Sequence, residues 1–164
     1  MLTPTIEQLL QDQVKKEASS SQTYLAMASW ADVKGYSGSA QFLYAHSDEE
    51  REHMLKLVKF LNERGVQATI PALEAPTKNF SSLKEVFESI LEHEILVTKA
   101  ISNIITNCLK ENDHMTNNFI QWYMSEQMEE EQLARSIIDR LEMMGSDTAS
   151  LYLFDRELGA EHKD

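Results

Sequence analysis

Five residues of this 164-residue chain stand where a helical core would expect apolar side chains: Glu17, Glu50, His53, Glu94 and Glu130. Steps of three and four through the second stripe give Leu43, His46, Glu50, His53, Leu57 and Leu61 on one face. Glu50 and His53 form an ExxH pair one turn apart, so a carboxylate and an imidazole reach toward the same point. The third stripe runs Ile90, Glu94, Val97, Ile101, Ile104 and Cys108, and the fourth runs Phe119, Tyr123, Gln127, Glu130, Ala134, Ile137 and Leu141. The first has Leu10, Val14, Glu17, Ser21, Tyr24 and Ala28. Burying four carboxylates without compensation is expensive, so the pattern calls for bound cations.

Four carboxylates, one imidazole and no thiolate form a hard donor set suited to iron or manganese, or to zinc as a redox-silent substitute. Glu50 is placed to bridge two ions, with Glu17 and His53 on one and Glu94 and Glu130 on the other. Without metal, acids so clustered are expected to have raised, coupled pKa values. Gln127 is placed to hydrogen-bond a water, an oxygen-derived ligand or a carboxylate. Tyr24, two turns beyond Glu17, is placed to donate to a ligand carboxylate, to pass an electron or simply to pack. Glu49, Glu126 and Glu129 cluster beside the five as a weaker third metal site, an exit path or a solvated acidic face. His46 reads as packing or as support behind the ligands, and Asp48, Glu52 and Glu131 as surface residues.

Long helices must carry these side chains. Thr5 to about Val33 reads as the first, with Pro4 at its start. The second runs from about Ser39 to Glu63, and residues 66–81, with two prolines and no helical period, form a long connection. Ser81 or Ser82, with Glu85 in a capping box, opens a third helix that reaches about Lys110. Asp113 caps a fourth that runs to Met144, and a short fifth spans about Thr148 to Leu158. Short links after helices one and three make antiparallel neighbours, whereas the long link makes helices two and three parallel. The expected fold is one all-α domain over residues 1–164: a four-helix bundle with a long crossover and a short fifth helix as end cap or oligomer contact.

The bulk properties exclude several classes. Twenty-seven acidic against 15 basic residues give a formal charge of -12, which argues against nucleic acid as a partner. Cys108 is the only cysteine, so multi-cysteine zinc and iron–sulfur sites are ruled out, and its place on an apolar stripe indicates packing. No apolar run approaches a membrane span, and the start MLTPTIEQLL lacks secretory-signal character, so the chain is expected to be cytoplasmic.

These residues carry a resemblance. SSSQTYLAMASW at 19–30, AHSDEEREHMLKLVKFL at 45–61, LEHE at 91–94 and FIQWYMSEQMEEEQL at 119–133 are similar to the bacterial non-haem ferritins, and the likeness runs nearly end to end. It implies a ferritin-like bundle assembled as a hollow homo-oligomeric shell of 24 subunits. It implies Fe(II) oxidised by dioxygen or hydrogen peroxide at a two-iron ferroxidase centre and stored as hydrated ferric oxide. On that resemblance Glu17, Glu50 and His53 hold one iron; Glu50, Glu94 and Glu130 hold the other, with Gln127 beside them. Glu49, Glu126, Glu129 and Glu130 match a neighbouring third iron site, Tyr24 the tyrosine near the centre, and Trp122 a tryptophan that supplies an electron. Glu111, Asp113, Asn117 and Gln121 fall where the family's three-fold channels admit iron.

The departures separate relatives. Arg51 stands where a haem-binding bacterioferritin carries methionine, and Gln127 and Glu130 replace its second ExxH, so no haem is expected. No CxxC pair is present, as a rubrerythrin-like module requires. A di-iron oxidase or peroxide-detoxifying protein without mineral storage is an alternative reading of the same ligands, and a noncatalytic acidic assembly protein is a structural one.

Overall fold

The computed structural model describes residues 2–161. Five helices follow one another: α1 (Pro4–Val33), α2 (Ser37–Glu63), α3 (Leu83–Glu111), α4 (His114–Met144) and α5 (Thr148–Glu161). The helix ends follow the local chemistry. Thr3 accepts from the Ile6 amide with Pro4 in the first turn, and Asp113 accepts from the Thr116 amide. Ser82 accepts from the Glu85 amide while Glu85 accepts from the Ser81 amide, so the two candidate serines divide the predicted capping box. Gly65 and Gly145, with φ of 81° and 83°, end α2 and α4 in a backbone conformation that a side chain would strain.

Contacts between helices define the topology. Lys84, at the start of α3, pairs with Glu142 at the end of α4, and Thr98 further along α3 donates to Glu131 earlier in α4, so the two helices run antiparallel. Phe42 meets Phe87 near the starts of α2 and α3, placing those helices parallel, as the long connection predicts. The crossover is pinned to α1 by Gln11, whose side chain donates to Gln67 O and accepts from the Thr69 amide. Two boundaries move from their predicted places. The second helix begins at Ser37 because Asp155 of α5 accepts from the Gly38 and Ser39 amides at 2.9 and 2.7 Å, and from the Ser39 hydroxyl at 2.8 Å. That is a cap supplied from a distant helix. Gly38 and Gly159 pack so closely there that a Cβ on either would overlap the other segment's backbone. The fifth helix continues through Glu161, past Leu158.

The core divides in two. One apolar cluster gathers Tyr24, Leu43, Ile90 and Ala134 with Phe154 and Leu158 of α5, so the fifth helix caps that end of the bundle. The other gathers Val14, Leu57, Val97 and Tyr123 with Ile6, Leu61 and Cys108. On every long helix the predicted polar interruption falls between the members of the two clusters. The bundle therefore has a polar layer across its middle. Among the described residues, no helix is long and apolar enough to cross a membrane.

Candidate metal centre

All five polar interruptions are buried: Glu17 and Glu94 are 1% exposed, Glu50 3%, His53 4% and Glu130 8%. Helix α1 brings Glu17 to α2 through a reciprocal serine clasp one turn further on. Ser21 Oγ donates to Ser47 O at 2.7 Å, and Ser47 Oγ donates to Ser21 O at 2.8 Å. Tyr123 donates to His53 O at 2.7 Å and ties α4 to the same turn of α2.

One half of the layer is gathered tightly. His53 Nδ1 lies 3.9 Å from both Glu17 Oε2 and Glu50 Oε2, and one ligand atom from each of the three residues falls within 4.8 Å of the others. Burial lowers the His53 pKa to about 4, so the imidazole is neutral near pH 7 and its lone pair is available to a metal. Burial raises the Glu17 pKa to about 7 and pushes Glu50 well above the usual carboxylate range, with the charge of Glu17 the next cause. The charge of Glu17 opposes ionisation of Glu50, so the two titrate as a pair. Among the described residues, Glu17 Oε2 has no hydrogen-bond partner.

The other half is built differently. Glu94 accepts from Tyr24 OH on Oε1 at 3.0 Å and from Gln127 Nε2 on Oε2 at 2.8 Å, so both of its oxygens are engaged within the chain. Gln127, 2% exposed, faces inward as the stripe predicts, and its partner is the Glu94 carboxylate. Glu130 Oε2 lies 3.8 Å from His46 Nε2, while His46 Nδ1 donates to Phe42 O at 3.0 Å. Burial and the charge of Glu94 raise the Glu130 pKa to about 8. Glu94 also raises Glu17 and Glu50, so the four acids occupy one electrostatic field even though Glu94 and Glu130 do not join the group around His53.

The flanking acids regroup. Glu49 lies within ligand distance of His46 and Glu130 on one side and of His53 and Glu126 on the other. Glu129 belongs to neither group, although it lines the same open cleft of about 530 Å³ with Glu49, Glu126 and Glu130. A second cleft of about 540 Å³ opens onto His53 between Glu49, Glu126 and Trp122. Trp122 sits edge-on to His53 with ring centroids 5.1 Å apart, and Lys56 Nζ lies 3.2 Å above the indole.

Several features escape a reading by stripe. His46, expected as packing or support, does stack on Phe42 but also belongs to a potential metal-holding group. Gln13 is fully buried and donates to Glu17 Oε1 at 2.7 Å. Its signal was present, four residues before Glu17 and three after Leu10, but an amide beside a stripe draws no attention. Glu131 is half-buried and accepts from Thr98 and Arg135, so it is not a free surface acid. The channel candidates are largely engaged within the chain. Thr3 donates to Glu111, Arg64 to Asp113 at 3.3 Å, and Gln121 to Asn117.

A bundle with a short fifth helix and a carboxylate-rich middle layer is the form of a ferritin-like domain, and the family model described as "Ferritin-like domain" matches residues 7–144. The chain is 45% identical over 159 residues to a probable bacterial non-heme ferritin-like protein of Haemophilus influenzae, covering 97% of this chain and 96% of that one. It is 40% identical to the bacterial non-heme ferritin of Campylobacter jejuni, across 95% of this chain and 93% of the relative. Among solved structures, a ferritin of Archaeoglobus fulgidus described as open-pore superposes with a TM-score of 0.94 at 34% identity, covering 97% and 98% of the two chains. The chain belongs to the non-haem ferritin family of bacteria and archaea.

Proposed function

We propose that this protein oxidises Fe(II) at a pair of sites in its polar layer and stores the ferric product as hydrated oxide inside a shell of 24 subunits. Iron is here the substrate. One observation carries the reading: Glu17, Glu50 and His53 converge, buried, with a neutral imidazole and a carboxylate oxygen that no described residue hydrogen-bonds. A buried oxygen left so is costly unless a cation takes its place. Glu17, Glu50 and His53 hold the first Fe(II), and Glu50, Glu94 and Glu130, with Gln127 beside them, hold the second. Glu49, Glu126, Glu129 and Glu130 offer a third, more open position.

The chemistry follows from the residues. Binding a dication displaces the protons that burial keeps on Glu17, Glu50 and Glu130. Each Fe(II) gives up one electron, and the two together take dioxygen and two protons to hydrogen peroxide, or hydrogen peroxide and two protons to water. Fixing both donors in one layer removes the need to collect two separate ions around the oxidant. Carboxylate ligands favour Fe(III) over Fe(II), and the acidic clefts beside the layer attract the incoming cation. Tyr24 holds Glu94 in place, and Trp122 stands against His53 as an electron source. The homo-oligomeric shell and the use of either oxidant are supported by family membership.

The test is anaerobic loading of the purified protein with Fe(II), then addition of dioxygen, measuring particle size, oxidation rate and retained iron together. Rapid oxidation with hundreds of ferric ions retained per large particle is the expected result. Rapid oxidation without retention rejects storage, and absence of a fast phase rejects the centre.

A further inference from the structure

Gln13 lies one turn before Glu17 on α1, at 0% exposure, where no solvent competes for its amide. Its Nε2 donates to Glu17 Oε1 at 2.7 Å. The reverse orientation of the amide would set two acceptors against each other, so the carboxylate itself fixes which end points inward. The opposite end bears the cost. Among the described residues only two buried side-chain atoms lack a hydrogen-bond partner, Gln13 Oε1 and Glu17 Oε2. A position serving only to fill the core would be better occupied by an apolar side chain of the same size.

The comparison with Gln127 gives this bond its meaning. Gln127 and Tyr24 together occupy both oxygens of Glu94, whereas Gln13 occupies one oxygen of Glu17. The remaining oxygen, Oε2, lies 3.9 Å from His53 Nδ1, the atom equally distant from Glu50 Oε2. We propose that Gln13 is a positioning residue that holds Glu17 so that Oε2 alone faces the point shared with Glu50 and His53, making Glu17 a one-oxygen ligand of the first ion bound. This inference rests on the two-iron reading above. Residues that hydrogen-bond a metal ligand change affinity by about 10–100-fold, because an unanchored ligand must be ordered by the metal itself.

The experiment is anaerobic Co(II) titration of the full-length protein, following the visible d–d bands, which report coordination number. Gln13→Met should weaken the first ion by about tenfold or more and alter its band, with the second ion's affinity unchanged. Gln13→Asn, whose amide is drawn back by one methylene, should lose less. On a Glu17→Gln background Gln13→Met should add nothing, since the ligand through which it acts is gone. A first-ion affinity and band like wild type would overturn the role, as would equal losses at both ions or full additivity with Glu17→Gln. Should Gln13→Met fail to fold, Gln13→Asn carries the same comparison, with the same sign expected and the same results against it. Wild-type protein that binds no Co(II) in the layer would overturn the two-iron reading and the role of Gln13 together, whereas normal wild-type binding with an indifferent Gln13 overturns the role alone.

Discussion

The two halves of the polar layer bury the same kind of charge by opposite means. Glu94 is satisfied by the chain itself, with Tyr24 on one oxygen and Gln127 on the other. Glu17 and Glu50 have little but each other, His53 and the single amide of Gln13. A carboxylate with two donors is a settled structural element, and one with an unpartnered oxygen is exposed to the full cost of burial. Under the proposed two-iron reading, Glu94 serves both the metal-free fold and the second ion, whereas Glu17 waits for the first. In the metal-free protein, the half that would bind most readily is also the half that stabilises least.

The largest expected effect comes from the bare half. Glu50→Ala or His53→Ala should slow the fast phase of Fe(II) oxidation by more than about 100-fold, beyond the range for residues that only support a ligand. Stopped-flow absorbance after anaerobic mixing measures this, and particle size should be unchanged. A fast phase retained in both variants would place oxidation elsewhere.

The satisfied half can be made to resemble the bare one. Tyr24→Phe removes one donor from Glu94 and should destabilise the metal-free protein by about 1–3 kcal/mol, the usual cost of stranding a buried polar group. Saturating Zn(II) should shrink that difference as the ion takes over the freed oxygen. Thermal melts with and without Zn(II) decide it, and an equal loss in both would mean that Tyr24 serves packing alone.

Acidity sharpens the contrast further. Folding raises the pKa of Glu17 to about 7 and that of Glu130 to about 8, from 4.5, so the folded chain binds more protons there than the unfolded chain and loses stability as pH rises through that interval. His53, lowered from 6.5 to about 4, acts in the other direction, adding stability as pH rises between those values. The two oppose each other below pH 6.5, and only the acids act above it. The melting temperature of the metal-free protein should therefore fall from pH 6.5 to 8. The fall should be smaller in Glu130→Gln and absent with saturating Zn(II).

The smallest effect is expected just outside the layer. Glu131→Gln breaks half-exposed contacts with Thr98 and Arg135 and should cost less than about 1 kcal/mol while leaving the oxidation rate unchanged. A large loss of rate there would extend the layer beyond the five interruptions.

The sequence makes these candidate ligands legible for the same reason that they are costly. Glu17, Glu50, His53, Glu94 and Glu130 stand out because each displaces an apolar residue from a helical period, and that period survives folding. The crossover was readable from two prolines and the lack of a period, and the start of α3 from Ser81, Ser82 and Glu85. What escaped depends mostly on partners distant in sequence. His46 resembles an ordinary helix residue until Glu130 is placed beside it, whereas Gln13, only four residues before Glu17, escaped because a neutral amide beside a stripe carries no charge to mark it. The start of α2 could not be read from its own residues, because its cap is Asp155, 116 residues further on. Nor does spacing along a helix tell whether an inward carboxylate meets donors or a bare pocket, the difference between Glu94 and Glu17.

That remote cap has a consequence for motion. The amide hydrogens of Gly38 and Ser39 are held by a carboxylate that belongs to α5, and the two glycines leave no slack at the crossing. The fifth helix therefore cannot lift away without baring the first amides of α2. Those two hydrogens form a built-in clock, and their exchange with solvent times each departure of the bundle's end cap.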